Sequence, residues 1–124
     1  MQKDLLTGGP GKDIFKYVTI KDSGTTAATR DVITDFKHGT DKIDLGAIDA
    51  IRGTAKNDAF HFLGQQTLDL VNPSKAALTY KLVDNPGTKH DVTIVSVDVN
   101  GDHKADMQIA LDHLIKLTKA DFIL

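Results

Sequence analysis

The chain has 124 residues, 40% hydrophobic and 26% charged, with a formal charge of −2. That is enough for one domain around a single core, and it lacks the clustered basic composition of a nucleic-acid binder or a polybasic membrane anchor. All 17 acidic residues are Asp and Cys is absent, which rules out disulfides and thiolate metal sites and favours turns and short-reach cation ligation over helical surfaces.

In chain order, Leu5 to Lys16 reads as a glycine-rich turn passing into an extended run around Phe15 and Tyr17. Residues 22–30 are small and polar and predict a loop. A short strand is expected over 31–36, a turn over Lys37-His38-Gly39-Thr40, a second short strand over 42–45 and one helical turn within 46–52. Alternation then predicts strands at 59–63, with Phe60 and Phe62 on one face, and at 78–82, bounded by Pro73 and the Asn85-Pro86-Gly87 turn. The clearest hairpin joins 93–99 to 105–111 through Asn100-Gly101-Asp102, since Asn-Gly adopts the positive φ angles of a tight β-turn. Val95, Val97 and Val99 should face the core together with Ala105, Met107, Ile109 and Leu111. Thr118 has the character of an N-cap for a brief turn, after which Phe122-Ile123-Leu124 forms an apolar tail.

Many short strands and no amphipathic helix longer than two turns predict an all-β fold, a sandwich or a roll. No run of residues is apolar enough to span a membrane, and none has the order of a signal peptide. If the protein is exported, its address must lie elsewhere.

Gly8-Gly9-Pro10-Gly11-Lys12-Asp13-Ile14-Phe15-Lys16 matches the nonapeptide G-G-x-G-x-D-x-U-x at every position, with Phe15 as the large apolar residue. Glycines permit backbone angles that aim several carbonyls inward, and the Asp adds a carboxylate. Calcium, a hard cation that takes six to eight oxygens, suits that mixture. Asp31, Asp35, Asp41 and Asp44 crowd the next segment, where mutual repulsion calls for a cation or for Lys37 and Lys42; a plain role in turns is the alternative. Asp98-Val99-Asn100-Gly101-Asp102 through Asp106 opens like the first half of an EF-hand loop. His103 replaces the sharp-turn glycine, and Ile109 stands where the bidentate acid belongs, so a polar hairpin tip competes with a second ion site.

On these motifs, with Asp31-x-Ile33-x-Asp35-Phe36 and Gly39-x-Asp41-Lys42-Ile43-Asp44-Leu45, the chain resembles the last repeat of an RTX parallel β-roll. The remainder of the chain resembles the C-terminal domain shared by serralysin-type metalloproteases; similar segments close exported lipases and alginate epimerases. The resemblance implies a roll remnant at 5–17 leading into a β-sandwich or jelly-roll-like domain over 18–124, within one domain of 1–124. It implies Ca2+ ligands at Gly8, Pro10 and Asp13, with Gly9 and Gly11 shaping the turn. A roll site is completed by a neighbouring repeat, and one repeat is present here, so either further ligands come from Asp31, Asp35 or Asp41 or the half-site is left empty by truncation. Asp121-Phe122-Ile123-Leu124 resembles the terminal motif of proteases exported by type I ABC machinery; a final packed strand is the compatible alternative.

No H-E-x-x-H or G-x-S-x-G motif is present, and the five histidines are dispersed. The expectation is a non-catalytic, calcium-binding module that supports type I secretion and extracellular folding of a larger exported protein. Its partners would be the ABC exporter and an upstream catalytic or repeat domain. A carbohydrate- or surface-binding module with a polysaccharide partner is the second reading; it requires a basic or aromatic strip on one face. Nucleic-acid binding and membrane insertion are not expected.

Overall fold

The structure is a computed structural model that describes residues 4–26, 28–48, 61–62, 64–65, 77–83, 91–99 and 104–123. Among the described residues nine strands form two sheets: β1 (Leu5–Leu6), β2 (Ile14–Lys16), β3 (Asp31–Ile33), β4 (Lys42–Asp44), β5 (His61–Phe62), β6 (Ala77–Val83), β7 (Val92–Asp98), β8 (Met107–Asp112) and β9 (Phe122–Ile123). One sheet runs β1-β3-β8-β7-β6-β5, the other β2-β4-β9. The expected all-β fold, entered through a parallel roll, is what the chain adopts.

Three stretches of chain lie in parallel levels. The first carries β1 and β2, the second β3 and β4, the third β8 and β9. Leu5 is level with Val32, and Asp31 with Ile109. In the small sheet Phe15 is level with Ile43, and Ile43 with Phe122. Each level climbs from the large sheet through a connecting turn to the small one, so the parallel stacking persists to the last described residues.

The predicted hairpin is present, with Val97 opposite Met107 and Val95 opposite Ile109. Alternation holds: Thr93, Val95, Val97 and Val99 are buried, as are Met107, Ile109 and Leu111, whereas Ala105 is only half-buried. The hairpin tip, Phe60, Pro73, the Asn85–Gly87 turn and the end of the 46–52 turn lie outside the described residues. β6 pairs antiparallel with β7 and contributes Leu78 and Tyr80 to the core.

The core lies between the sheets. Ile33, Val95, Ile109 and Leu111 come from the large sheet, Ile43 and Phe122 from the small one, joined by Tyr17, Phe36 and Leu45. Each of these side chains contributes about 1.5–3 kcal/mol by leaving water. Phe62 bridges the sheets, with its ring centroid 5.6 Å from that of Phe122 and 6.2 Å from that of Tyr80.

Two expectations are corrected. The strand expected over 31–36 ends at Ile33, because Thr34 and Asp35 bend toward the level before them. The loop expected over 22–30 is preceded by a 3-10 turn, Ile20–Asp22, closed by a capping box in which Thr19 accepts from the Lys21 amide and Asp22 accepts from Thr19. The turn expected after Thr118 is present as Lys119–Asp121.

Candidate metal centre: the Gly8–Asp13 turn and its neighbours

The nonapeptide forms the turn between β1 and β2. Gly9 and Gly11 have φ of +83° and +92°, the left-handed region that a side chain makes costly. Gly8 is required for a different reason: a Cβ there would overlap the Asp13 carboxylate. Asp13 Oδ2 is thus folded against the backbone of its own turn, buried, with no hydrogen-bond donor. A buried carboxylate oxygen without a donor is costly unless a cation or another donor completes it. Phe15 is half-buried and packs on Phe36, with centroids 6.4 Å apart. It joins the edge of the core.

The other expected ligands have different occupations. Asp35 Oδ1 and Oδ2 accept the Gly8 and Gly9 amides at 2.9 and 2.7 Å. Asp41 accepts the Asp13 amide on Oδ1 and the Lys37 amide on Oδ2, both at 3.0 Å. Asp31 Oδ1 accepts the Asp4 amide at 3.0 Å, and Asp44 Oδ1 accepts the Gly46 amide at 2.9 Å. Backbone N–H groups thus donate to each of these four carboxylates and offset part of the repulsion expected of this segment. Among the described residues no three acidic or histidine side chains are placed to share one metal ion.

Four of these bonds, accepted by Asp31, Asp35 and Asp41, obey a rule. A carboxylate on one level accepts amides of the level before it, at chain separations of 26 to 28 residues between the first two levels. Thr7 and Thr34 add a hydroxyl pair at 2.6 Å across the same separation. Asp121 repeats the rule at the third level. Its Oδ1 accepts the Gly39 amide at 3.1 Å, and its Oδ2 accepts the Thr118 amide at 2.8 Å and lies 2.7 Å from His38 Nδ1. Asp13 holds, on the first level, the position that Asp41 holds on the second.

The sequence carried a signal for this ladder beyond the nonapeptide. Asp4-Leu5-Leu6-Thr7 and Asp31-Val32-Ile33-Thr34 are the same pattern 27 positions apart, and Gly11-Lys12-Asp13 recurs as Gly39-Thr40-Asp41. Gly39 shares the positive φ, +83°.

The electrostatics separate the latches. The Gly8 and Gly9 amides hold the Asp35 carboxyl below its ordinary range. Burial pushes Asp31 above that range, against the partly offsetting Asp4 amide. Tyr17 is raised by burial and by the Asp31 carboxylate beside it; its hydroxyl is buried and makes no hydrogen bond of good geometry.

The second candidate loop is only partly described. Asp98 is buried, and Asp106 Oδ2 accepts the Val99 amide at 2.8 Å. Asn100 and Asp102 lie outside the described residues. In the tail, Asp121 and Phe122 are buried and Ile123 is exposed as part of β9; Leu124 lies outside the described residues. Among the described residues no helix is long and apolar enough to cross a membrane.

Parallel levels climbing between two sheets, with a glycine-aspartate turn at the first of them, define an RTX-type roll module. The chain belongs to the serralysin C-terminal family: the model described as "Peptidase M10 serralysin C terminal" matches residues 2–124. That family is the non-catalytic C-terminal part of secreted bacterial peptidases. The R3 subunit of the AlgE6 mannuronan C5-epimerase of Azotobacter vinelandii shares the fold, with a TM-score of 0.55 and 22% identity. The alignment covers 98% of this chain and 58% of that one, so the chain spans little more than half of its structural relative. Among curated proteins no sequence matches.

Proposed function

We propose that this chain is the calcium-binding C-terminal module of a larger secreted protein, and that it supports type I export and folding outside the cell. The observation that carries this reading is Asp13 Oδ2, an orphaned buried oxygen lying against Gly8, where a Cβ would overlap it. Asp13 and the carbonyls of Gly8 and Pro10 are the residues that would hold Ca2+, with the remaining oxygens coming from a repeat stacked before β1 and β2. When bound, the ion supplies the positive charge that Asp13 lacks. Asp31, Asp35 and Asp41 already accept amides and serve as latches between levels.

The mechanism rests on this division. Cytosolic calcium is too scarce to fill a weak extracellular-type site, so the first turn stays loose during export. Outside, ion binding offsets the entropy of ordering the glycine turn. The tail has two successive roles: Asp121 to Leu124 is read by the ABC exporter while unfolded, and Asp121 and Phe122 later lock β9 against β4.

Calorimetry in calcium and in chelator tests the first half, and an identical melting point in both would sink it. Removing Phe122 to Leu124 from a passenger fusion tests the second, with secretion through a type I system as readout. Undiminished secretion would remove the address from this tail.

A further inference from the structure

The outer face of the six-stranded sheet carries an apolar row. Strand register sets Leu5, Val32, Ala110 and Ile94 side by side across β1, β3, β8 and β7. Their neighbours Ile33, Ile109 and Val95 fill the core, so alternation turns these four outward. Leu5 is exposed, Val32 and Ile94 are half-buried, and the small Ala110 lies sunk between them. On one side of the row runs a polar line. Arg30 Nη1 donates to Gln108 Oε1 at 3.0 Å, and Gln108 Nε2 donates to Ser96 Oγ at 3.1 Å. On the other side Val83, Val92 and Asp112 stand level with one another.

Opposite charges therefore flank one apolar row, and neither is neutralised within the chain. Among the described residues the single ion pair is His38 with Asp121. Arg30 is half-buried, and Gln108 occupies one of its five donors. Burial alone holds its guanidinium below the ordinary value. Asp112 is half-buried too. Such groups recover free energy when a partner supplies the opposite charge.

We propose that two copies of this chain associate face to face through this surface, Arg30 of each pairing with Asp112 of the other. A two-fold axis along the apolar row, midway between the copies, lays row on row. It carries the Arg30 line of each copy over the Asp112 line of its mate, so the contact is made twice. Arg30 and Asp112 belong to adjacent strands, a sideways offset of about 4.8 Å that an arginine stem spans. Lys81 continues the row on β6 and meets its own counterpart, but sheet twist opens the gap there and leaves it hydrated at the rim. The patch measures about 20 Å by 20 Å, or roughly 400 Å2 per copy, half of a standard interface. Association is accordingly reversible, with a dissociation constant on the order of 0.1–1 mM. An anionic membrane or a nucleic acid would match Arg30 and be repelled by Asp112; a second copy satisfies both.

The test is sedimentation equilibrium of the intact chain from about 10 μM to about 1 mM. A monomer–dimer equilibrium should appear and weaken as salt rises. Arg30→Asp and Asp112→Arg should each be monomeric, whereas their equimolar mixture and the double variant should both regain the dimer. Arg30→Gln and Asp112→Asn should each weaken association about fivefold, since every pair occurs twice. Ile94→Lys should abolish it, and Lys42→Gln, on the other sheet, should leave it unchanged. Melting curves confirm folding; where a charge reversal unfolds the chain, the neutral variants and Ile94→Lys decide. A monomer throughout, a mixture that stays monomeric, or association indifferent to Arg30 and Asp112 would each overturn the proposal. Stacking through the edges of β1 and β2 would give the last of these. The calcium reading is judged separately, by whether the melting point responds to chelator.

Discussion

Asp35 and Gly8 are 27 residues apart in the chain, and Asp35 Oδ1 accepts the Gly8 amide at 2.9 Å. The same carboxylate takes the Gly9 amide on its other oxygen. One side chain of the second level thus fixes the start of the turn that presents Asp13.

This latch has a pH signature. The folded-state pKa of Asp35 is depressed by the two amides, so its contribution is full above the unfolded value of about 3.9 and is lost as pH falls through the depressed one. Melting temperatures recorded from neutral to acid pH in chelator should show acid destabilisation that Asp35→Asn reduces. An equally steep acid limb in the variant would show that the latch carries no weight.

Asp31 has the opposite sign. Burial raises its folded pKa, so ionising it costs more folded than unfolded, and stability falls as pH rises from about 3.9 through the raised value. Asp31→Asn keeps an acceptor for the Asp4 amide and offers a donor to the Tyr17 hydroxyl. Relative to the parent chain, its melting point should climb with pH; a difference independent of pH would contradict the assignment.

Gly8→Ala and Gly9→Ala should fail differently. At Gly8 the new methyl meets the Asp13 carboxylate and also its Cβ, which the backbone holds in place, so the turn itself must shift and stabilisation by calcium should be lost along with part of the stability in chelator. At Gly9 the surroundings are open but φ is +83°, so folding stability should drop by about 1–2 kcal/mol. Denaturant titrations with and without calcium separate the two.

Asp121→Ala removes the acceptor from the Gly39 and Thr118 amides in a buried site. A loss of about 2–4 kcal/mol is expected from stranding those donors, read by urea unfolding. Phe122→Ala should cost about 3–5 kcal/mol, because its ring lies in the core against Phe62.

Much of this architecture was legible in the residues. The hairpin of Val95 and Val97 with Met107 and Ile109 is dictated by alternation, because one face is wholly buried and the other, Asp98 and Ala110 apart, only partly. The glycine turn was legible because positive φ and a close backbone approach leave few alternatives to glycine. The roles of Asp31, Asp35 and Asp41 were harder. A carboxylate suits a cation and an amide equally well, and nothing local says which will be near. The choice is made by pairing across 26 to 28 residues, which became visible once Asp4 to Thr7 was aligned with Asp31 to Thr34. The early end of β3 has the same origin, since Asp35 leaves the strand to reach Gly8.

Among the described residues both sheets finish together at the first level, in β1 and β2, with Leu5 and Ile14 standing exposed beside those edges. Such a terrace accepts further copies of the same motif without any change to the side chains beneath it. Proteins built on it are free to gain or shed whole repeats over evolution, and a copy produced alone presents an unguarded template to its neighbours, with head-on self-association at high concentration as the consequence.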